Sequence, residues 1–134
     1  MKINPENIGI LFRILSAWVS SVYRIKTYRS LEYIKTSGQG PGRPDPLTER
    51  EWTMIRKAVK GIRYLSPLFL KRRRCLMEAL ILNRYLYRMG VDSRLHLGAR
   101  KENGNVSTHA WVSVGYRTLI GGPVTGYEEL VRTR

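Results

Sequence analysis

Residues 75–122 read CLMEALILNRYLYRMGVDSRLHLGARKENGNVSTHAWVSVGYRTLIGG. The hydrophobic period of this stretch changes once, and that change decides the fold. In its first part Cys75, Ala79, Leu82, Leu86 and Met89 recur at helical spacing, flanked by Leu76 and Leu80. Gly90 is suited to the left-handed residue that closes a helix. The period then drops to two. Leu95, Leu97 and Ala99 alternate with Arg94, His96 and Arg100, which predicts a strand. The turn Glu102-Asn103-Gly104-Asn105 contains Asn-Gly, a strong hairpin signal. A second strand follows, with Thr108, Ala110, Val112 and Val114 on one face and His109, Trp111 and Ser113 on the other. Gly115-Tyr116 turns the chain into a third strand, Arg117 to Ile120. The tail GGPVTGYEELVRTR reads as ending in a short helix. A long helix followed by an antiparallel meander is α+β, with the sheet packed on that helix.

Upstream, Thr48 and Glu51 form a capping box, with Leu47 and Trp52 placed as a hydrophobic staple. They predict a helix from about Glu49. Trp52, Ile55, Val59 and Ile62 are its buried stripe, and Pro67 breaks the chain after it. Residues 36–47, rich in Gly and Pro, read as a linker. Segment 8–34 has helical periodicity again: Ile8, Leu11, Leu15, Val19 and Val22, widened by Phe12, Trp18 and Ile25. Arg13, Arg24, Lys26 and Arg29 sit among them. Such a basic amphipathic helix is expected to pack on the domain's own core, with a membrane surface as the other use. The length suits one domain, 1–134. It divides into a basic helical segment (1–35), the linker (36–47), and a helix plus core (48–134).

The 134 residues carry 24 Lys+Arg against 10 Asp+Glu, a net charge of +14. Residues 1–74 hold +11 of it and residues 75–134 the remaining +3. A surplus of this size attracts nucleic acid, anionic membrane or acidic polypeptide, and it says nothing of fold. No helix-turn-helix, zinc-finger or RNA-recognition pattern is present. One cysteine excludes a disulfide scaffold, and one cysteine with two histidines excludes a Cys/His zinc site. The uncharged run Ile14 to Tyr23 is too short to span a bilayer, and no cleavage-site pattern follows it. The unpaired thiol suits a reducing, cytoplasmic setting.

Cys75 falls at the predicted start of a helix, directly after Lys71, Arg72, Arg73 and Arg74. Free N–H groups, the helix dipole and neighbouring cations all favour a thiolate there. The same amides can stabilise an oxyanion formed by attack on a carbonyl. A buried structural cysteine is the plainer alternative. His109, mid-strand and beside Trp111, is the candidate base that would deprotonate the thiol and later protonate a leaving amine. His96 reads as a solvated or supporting residue.

Several ordered matches then point to a known family. Cys75-Leu76 opens the helix and Arg88-Met89-Gly90-Val91 closes it. Gly98-Ala99-Arg100-Lys101 ends the first strand, and His109-Ala110-Trp111-Val112 forms the second. The set resembles the core of the transglutaminase-like cysteine-protease superfamily, most closely the stand-alone leader peptidases of lasso-peptide biosynthesis. The resemblance covers residues 75–122. It implies a transglutaminase/papain-like core, with Cys75 as nucleophile and His109 as general base. It implies hydrolysis of one peptide bond, which frees a core peptide from its leader for macrolactam formation. The implied partners are the precursor peptide, a small leader-recognition protein and an ATP-dependent cyclase. Neither metal nor nucleotide is implied for the peptidase itself. The family's third catalytic residue is an Asp, and the matching position here is Gly121. The imidazole would then be oriented by a backbone carbonyl, a water, or a carboxylate such as Glu128. The competing reading is a non-catalytic basic module that holds an acidic peptide or nucleic acid.

Overall fold

A computed structural model describes residues 4–27, 46–69, 74–122 and 124–132. Most of the linker, the predicted helical residues 28–34, and Lys71, Arg72 and Arg73 lie outside the described residues. Three helices precede a four-stranded sheet: α1 (Pro5–Thr27), α2 (Glu49–Phe69), α3 (Arg74–Arg88), β1 (Arg94–Glu102), β2 (Asn105–Val114), β3 (Arg117–Ile120) and β4 (Glu128–Arg132). The sheet order is β3-β2-β1-β4, and every pair is antiparallel. The fold is α+β.

Local sequence chemistry sets most of the boundaries. Helix α2 starts at the capping box: the Thr48 N–H donates to Glu51 Oε2 at 2.7 Å, and the Glu51 N–H donates to Thr48 Oγ1 at 3.2 Å. Pro67 does not end this helix, which runs two residues further. A proline there removes the N–H that would serve the Arg63 carbonyl. The loss is small this close to the helix end, where the last carbonyls have no intrahelical partner in any case; the Ser66 hydroxyl lies 3.4 Å from that oxygen, but its one proton goes to Glu78. Helix α3 closes on Gly90 with φ of 72°. The Val91 N–H reaches the Leu86 carbonyl and the Gly90 N–H reaches that of Tyr87, both at 3.0 Å, which is a Schellman motif. The Ser93 hydroxyl then donates to buried Asn83 at 2.9 Å and fastens the link into β1. Asn103 and Gly104, with φ of 52° and 81°, make the two-residue hairpin.

The core joins all three helices to one sheet face. Ala79, Leu80, Leu82 and Leu86 of α3 meet Leu95, Ala110, Val112, Val114 and Ile120, with Ile55 and Ile62 of α2 beside them. Helix α1 contributes Ile10, Ile14 and Ala17. That face is not the stripe expected from the sequence. Ile8 is 54% exposed and Phe12 71%, and Leu15 and Val19 are exposed as well. Apolar residues surround most of this helix, so periodicity alone does not select its inner face. Packing against α2 selects it instead: Ile14 lies against Gly61, where an added Cβ would stand 3.1 Å from Ile14 Cδ1.

The tail departs from expectation too. It forms strand β4, not a helix. Its register sets His96 opposite Arg132 and Leu97 opposite Val131 on the outer edge of β1. A few residues cannot nucleate an isolated helix, whereas the β1 edge offers ready backbone partners.

Within the core, Tyr85 is 1% exposed and its hydroxyl has no hydrogen-bond partner among the described residues. Burial pushes its ionisation above the ordinary value of 10.0, with Arg13 pulling weakly the other way. A folded-state value raised in this way gives stability that is complete below pH 10.0 and lost as pH climbs past it. Tyr85→Phe should raise stability by about 1 kcal/mol, because a buried unsatisfied hydroxyl disappears. It should also flatten the alkaline fall of the urea midpoint. A variant less stable than the parent at neutral pH would contradict this.

Candidate active site

Cys75 occupies the first turn of α3, one residue after its start, and is partly exposed. Among the described residues the cation beside it is Arg74, and that guanidinium is already engaged. Its Nε donates to Glu78 Oε1 at 2.9 Å and to Ser66 Oγ at 3.0 Å. The Ser66 hydroxyl also donates to Glu78. The cluster ties the end of α2 to the start of α3, and so fixes where the thiol sits.

His109 lies on β2 between Thr108 and Ala110. Strand alternation sends Ala110 into the core with the helices and sends His109 to the other face, with Trp111 and Ser113. No hydrogen bond joins His109 to Cys75 among the described residues. His109 Nε2 instead donates to the carbonyl oxygen of Gly121. A carbonyl only accepts, so Nε2 carries the proton and Nδ1 keeps its lone pair in the neutral ring. Of the three orienting groups expected from the sequence, a backbone carbonyl holds the imidazole. Glu128 pairs with Ala99 in the sheet, and among the described residues no hydrogen bond joins it to the ring.

Gly121 explains why a carboxylate is missing at its position. Its φ is +87°, and a Cβ built there would collide with the Ala110 carbonyl oxygen and stand 2.8 Å from Trp111 Cα. The loop approaches β2 so closely that only glycine fits.

The other face of the sheet carries a stack. Tyr127 lies 5.1 Å from the His109 ring, and Arg100 sits 4.8 Å over Tyr127. On the other side, Trp111 stands 6.3 Å from His109 and 5.2 Å from His96, with 2° between the latter two planes. His96 is not solvated: it is 8% exposed. Its Nδ1 meets Glu129 Oε1 at 2.8 Å and its Nε2 meets Ser113 Oγ at 2.7 Å. Glu129 and Tyr127 thus contact the two histidines, a placement that the sequence pattern does not reveal. The signal that could have found them is the tail's alternation, which a helical reading hides. Among the described residues, no group of three or more His, Cys, Asp or Glu is placed to hold a metal ion. No helix is long and apolar enough to cross a membrane, among the described residues.

Gly121→Ala should cost roughly 2 kcal/mol or more, since a positive φ and a steric collision act together. A thermal melt of the variant checks this, and an unchanged midpoint would show that the loop can move away from β2.

No curated protein and no solved structure gives a significant match to this chain. A family model described as the transglutaminase-like superfamily matches residues 16–132. That span contains α2, α3, the whole sheet, Cys75 and His109. The chain is a member of the transglutaminase-like superfamily.

Proposed function

We propose that this protein is a cysteine peptidase, with Cys75 as nucleophile and His109 as general base. The superfamily includes cysteine peptidases and transglutaminases, which supports the reaction class. The observation that carries the reading is the hydrogen bond that fixes His109. Nε2 is committed to the Gly121 carbonyl, so Nδ1 is the nitrogen free to take a proton.

The steps follow from those two groups. Nδ1 takes the thiol proton, and the sulfur attacks the scissile carbonyl carbon. Amides of the first turn of α3 stabilise the resulting oxyanion. The intermediate collapses, and the imidazolium gives its proton to the departing amine. Water, deprotonated by the same Nδ1, then cleaves the thioester to a carboxylate and restores the thiol. The chemistry requires Nδ1 and Sγ to come within hydrogen-bond reach; because β2 turns His109 from the face on which α3 packs, that approach requires the two elements to rearrange and not only a long contact to tighten.

The ordered motifs of residues 75–122 point to a ribosomally made precursor as substrate, with removal of its leader in lasso-peptide maturation. The proposed setting is the cytoplasm, beside a small leader-recognition protein and the ATP-dependent cyclase that uses the freed amine. One observation favours a non-catalytic binding role: Cys75 and His109 share no hydrogen bond among the described residues.

Incubation of the precursor with the leader-recognition protein and this chain, read by mass, tests the assignment. Cys75→Ala should abolish cleavage while leaving the circular dichroism spectrum unchanged. His109→Ala should slow cleavage by about 10²–10⁴-fold. Cleavage at the same bond by the Cys75→Ala protein would sink the proposal. A steep loss of DNA affinity with salt, without any peptide cleavage, would support the binding role.

A further inference from the structure

A second feature lies on the helical side of the sheet, away from the aromatic stack. A cleft of about 590 Å³ runs between α2 and β3. Arg56, Lys60 and Arg63 line one wall. Their spacing of four and three residues puts all three cations on one face of α2. Arg117 of β3 lines the opposite wall, 5.0 Å over the ring of Trp52. Trp52 and Leu119 supply apolar surface between these charges. Among the described residues no carboxylate lines the cleft; Glu49, 3.8 Å from Arg56, sits outside it.

Strand β3 is the terminal strand of the sheet, so one of its sides has no strand partner among the described residues. Such an edge presents N–H and C=O groups that an incoming extended peptide can pair with. From Trp52 to Arg63 the helix rises roughly 16 Å, the length of about five extended residues. Strand β3 is four residues long. The two walls therefore accommodate segments of similar length, four to about five residues.

The Arg63 end of the cleft points along α2 toward its junction with α3. One turn further along α2, Ser66 contacts Arg74 and Glu78, the two charged residues that flank Cys75 on α3.

We infer that the cleft between α2 and β3 binds an extended peptide segment in which acidic and apolar residues alternate. Its acidic side chains meet Arg56, Lys60, Arg63 and Arg117, its apolar ones meet Trp52 and Leu119, and its backbone pairs with the β3 edge. The peptide's role as substrate rests on the peptidase reading, whereas its binding does not. Nucleic acid fits the four cations but cannot use a strand edge, so the observations favour a peptide.

The test is fluorescence anisotropy with a fluorescein-labelled peptide of alternating leucine and glutamate. A leucine–lysine peptide and an oligothymidylate of equal length serve as comparisons. The acidic peptide should bind tightest and weaken with salt. Arg56→Glu combined with Lys60→Glu should lower its affinity by roughly tenfold or more, and Arg56→Lys should retain it. Lys60→Gln, a milder change at an exposed position, should show a smaller loss and guards against misfolding. The inference is overturned if the acidic peptide does not bind, if the double reversal leaves its affinity unchanged, or if oligothymidylate binds more tightly. Binding is measured without cleavage, so the two readings fail separately. Cutting by Cys75→Ala removes the peptidase and leaves the cleft standing. Unchanged binding in the reversed variant removes the cleft whatever Cys75 does.

Discussion

Strand β2 is covered on both faces, and each face imposes its own demand on neighbouring backbone. Ala110, Val112 and Val114 must meet the helices, while Trp111, 7% exposed, fills the opposite side. A strand wedged in this way leaves little room for side chains on the segments that cross it. Gly98 on β1 is one consequence, since a Cβ there would stand 2.8 Å from Trp111 Cζ3. Gly121 is the other. The closeness that forbids a side chain at 121 is also what brings its carbonyl to His109 Nε2. A missing carboxylate and a present hydrogen bond thus have one cause.

Features written into neighbouring residues are legible in the amino-acid order alone. The capping box at Thr48, the Gly90 closure, the Asn-Gly hairpin and the two-residue alternation of β1 and β2 all depend on contacts a few residues apart. Those that depend on distant partners are not. The inner face of α1 is chosen by packing on distant helices, as where Ile14 sits against Gly61 of α2. Strand β4 exists because β1 has an open edge, and Glu129 meets His96 only once that pairing forms. Pro67 stays inside α2 because it falls in the last turn, where Ser66 is held by Glu78 and Arg74 of the next helix. The site is legible to the same depth. Cys75 at a helix start and His109 in mid-strand follow from local pattern, but the spatial relation between them does not. Strand alternation alone turns His109 from the face on which α3 packs.

The chain's positive charge is organised more specifically than its sum of +14 suggests. The one described cation next to the thiol, Arg74, is bound to Glu78 and Ser66. Four more cations cluster along the cleft between α2 and β3, with Arg56 near Glu49 and Arg117 stacked on Trp52.

That distribution bears on how the proposed chemistry would run. A carboxylate beside an imidazole does two jobs: it fixes the tautomer, and its charge stabilises the imidazolium. The Gly121 carbonyl does the first and contributes only a dipole to the second. With Arg74 engaged, what the described residues offer a developing charge at the sulfur is the amides and dipole of the α3 N-terminus. A nucleophile placed on this less polarised footing gains most from a substrate held in position by remote contacts, because binding energy away from the scissile bond can be used to align it. The α2–β3 cleft ends one helical turn from Ser66, which contacts the residues that flank Cys75, and is where the proposed peptide contacts would lie.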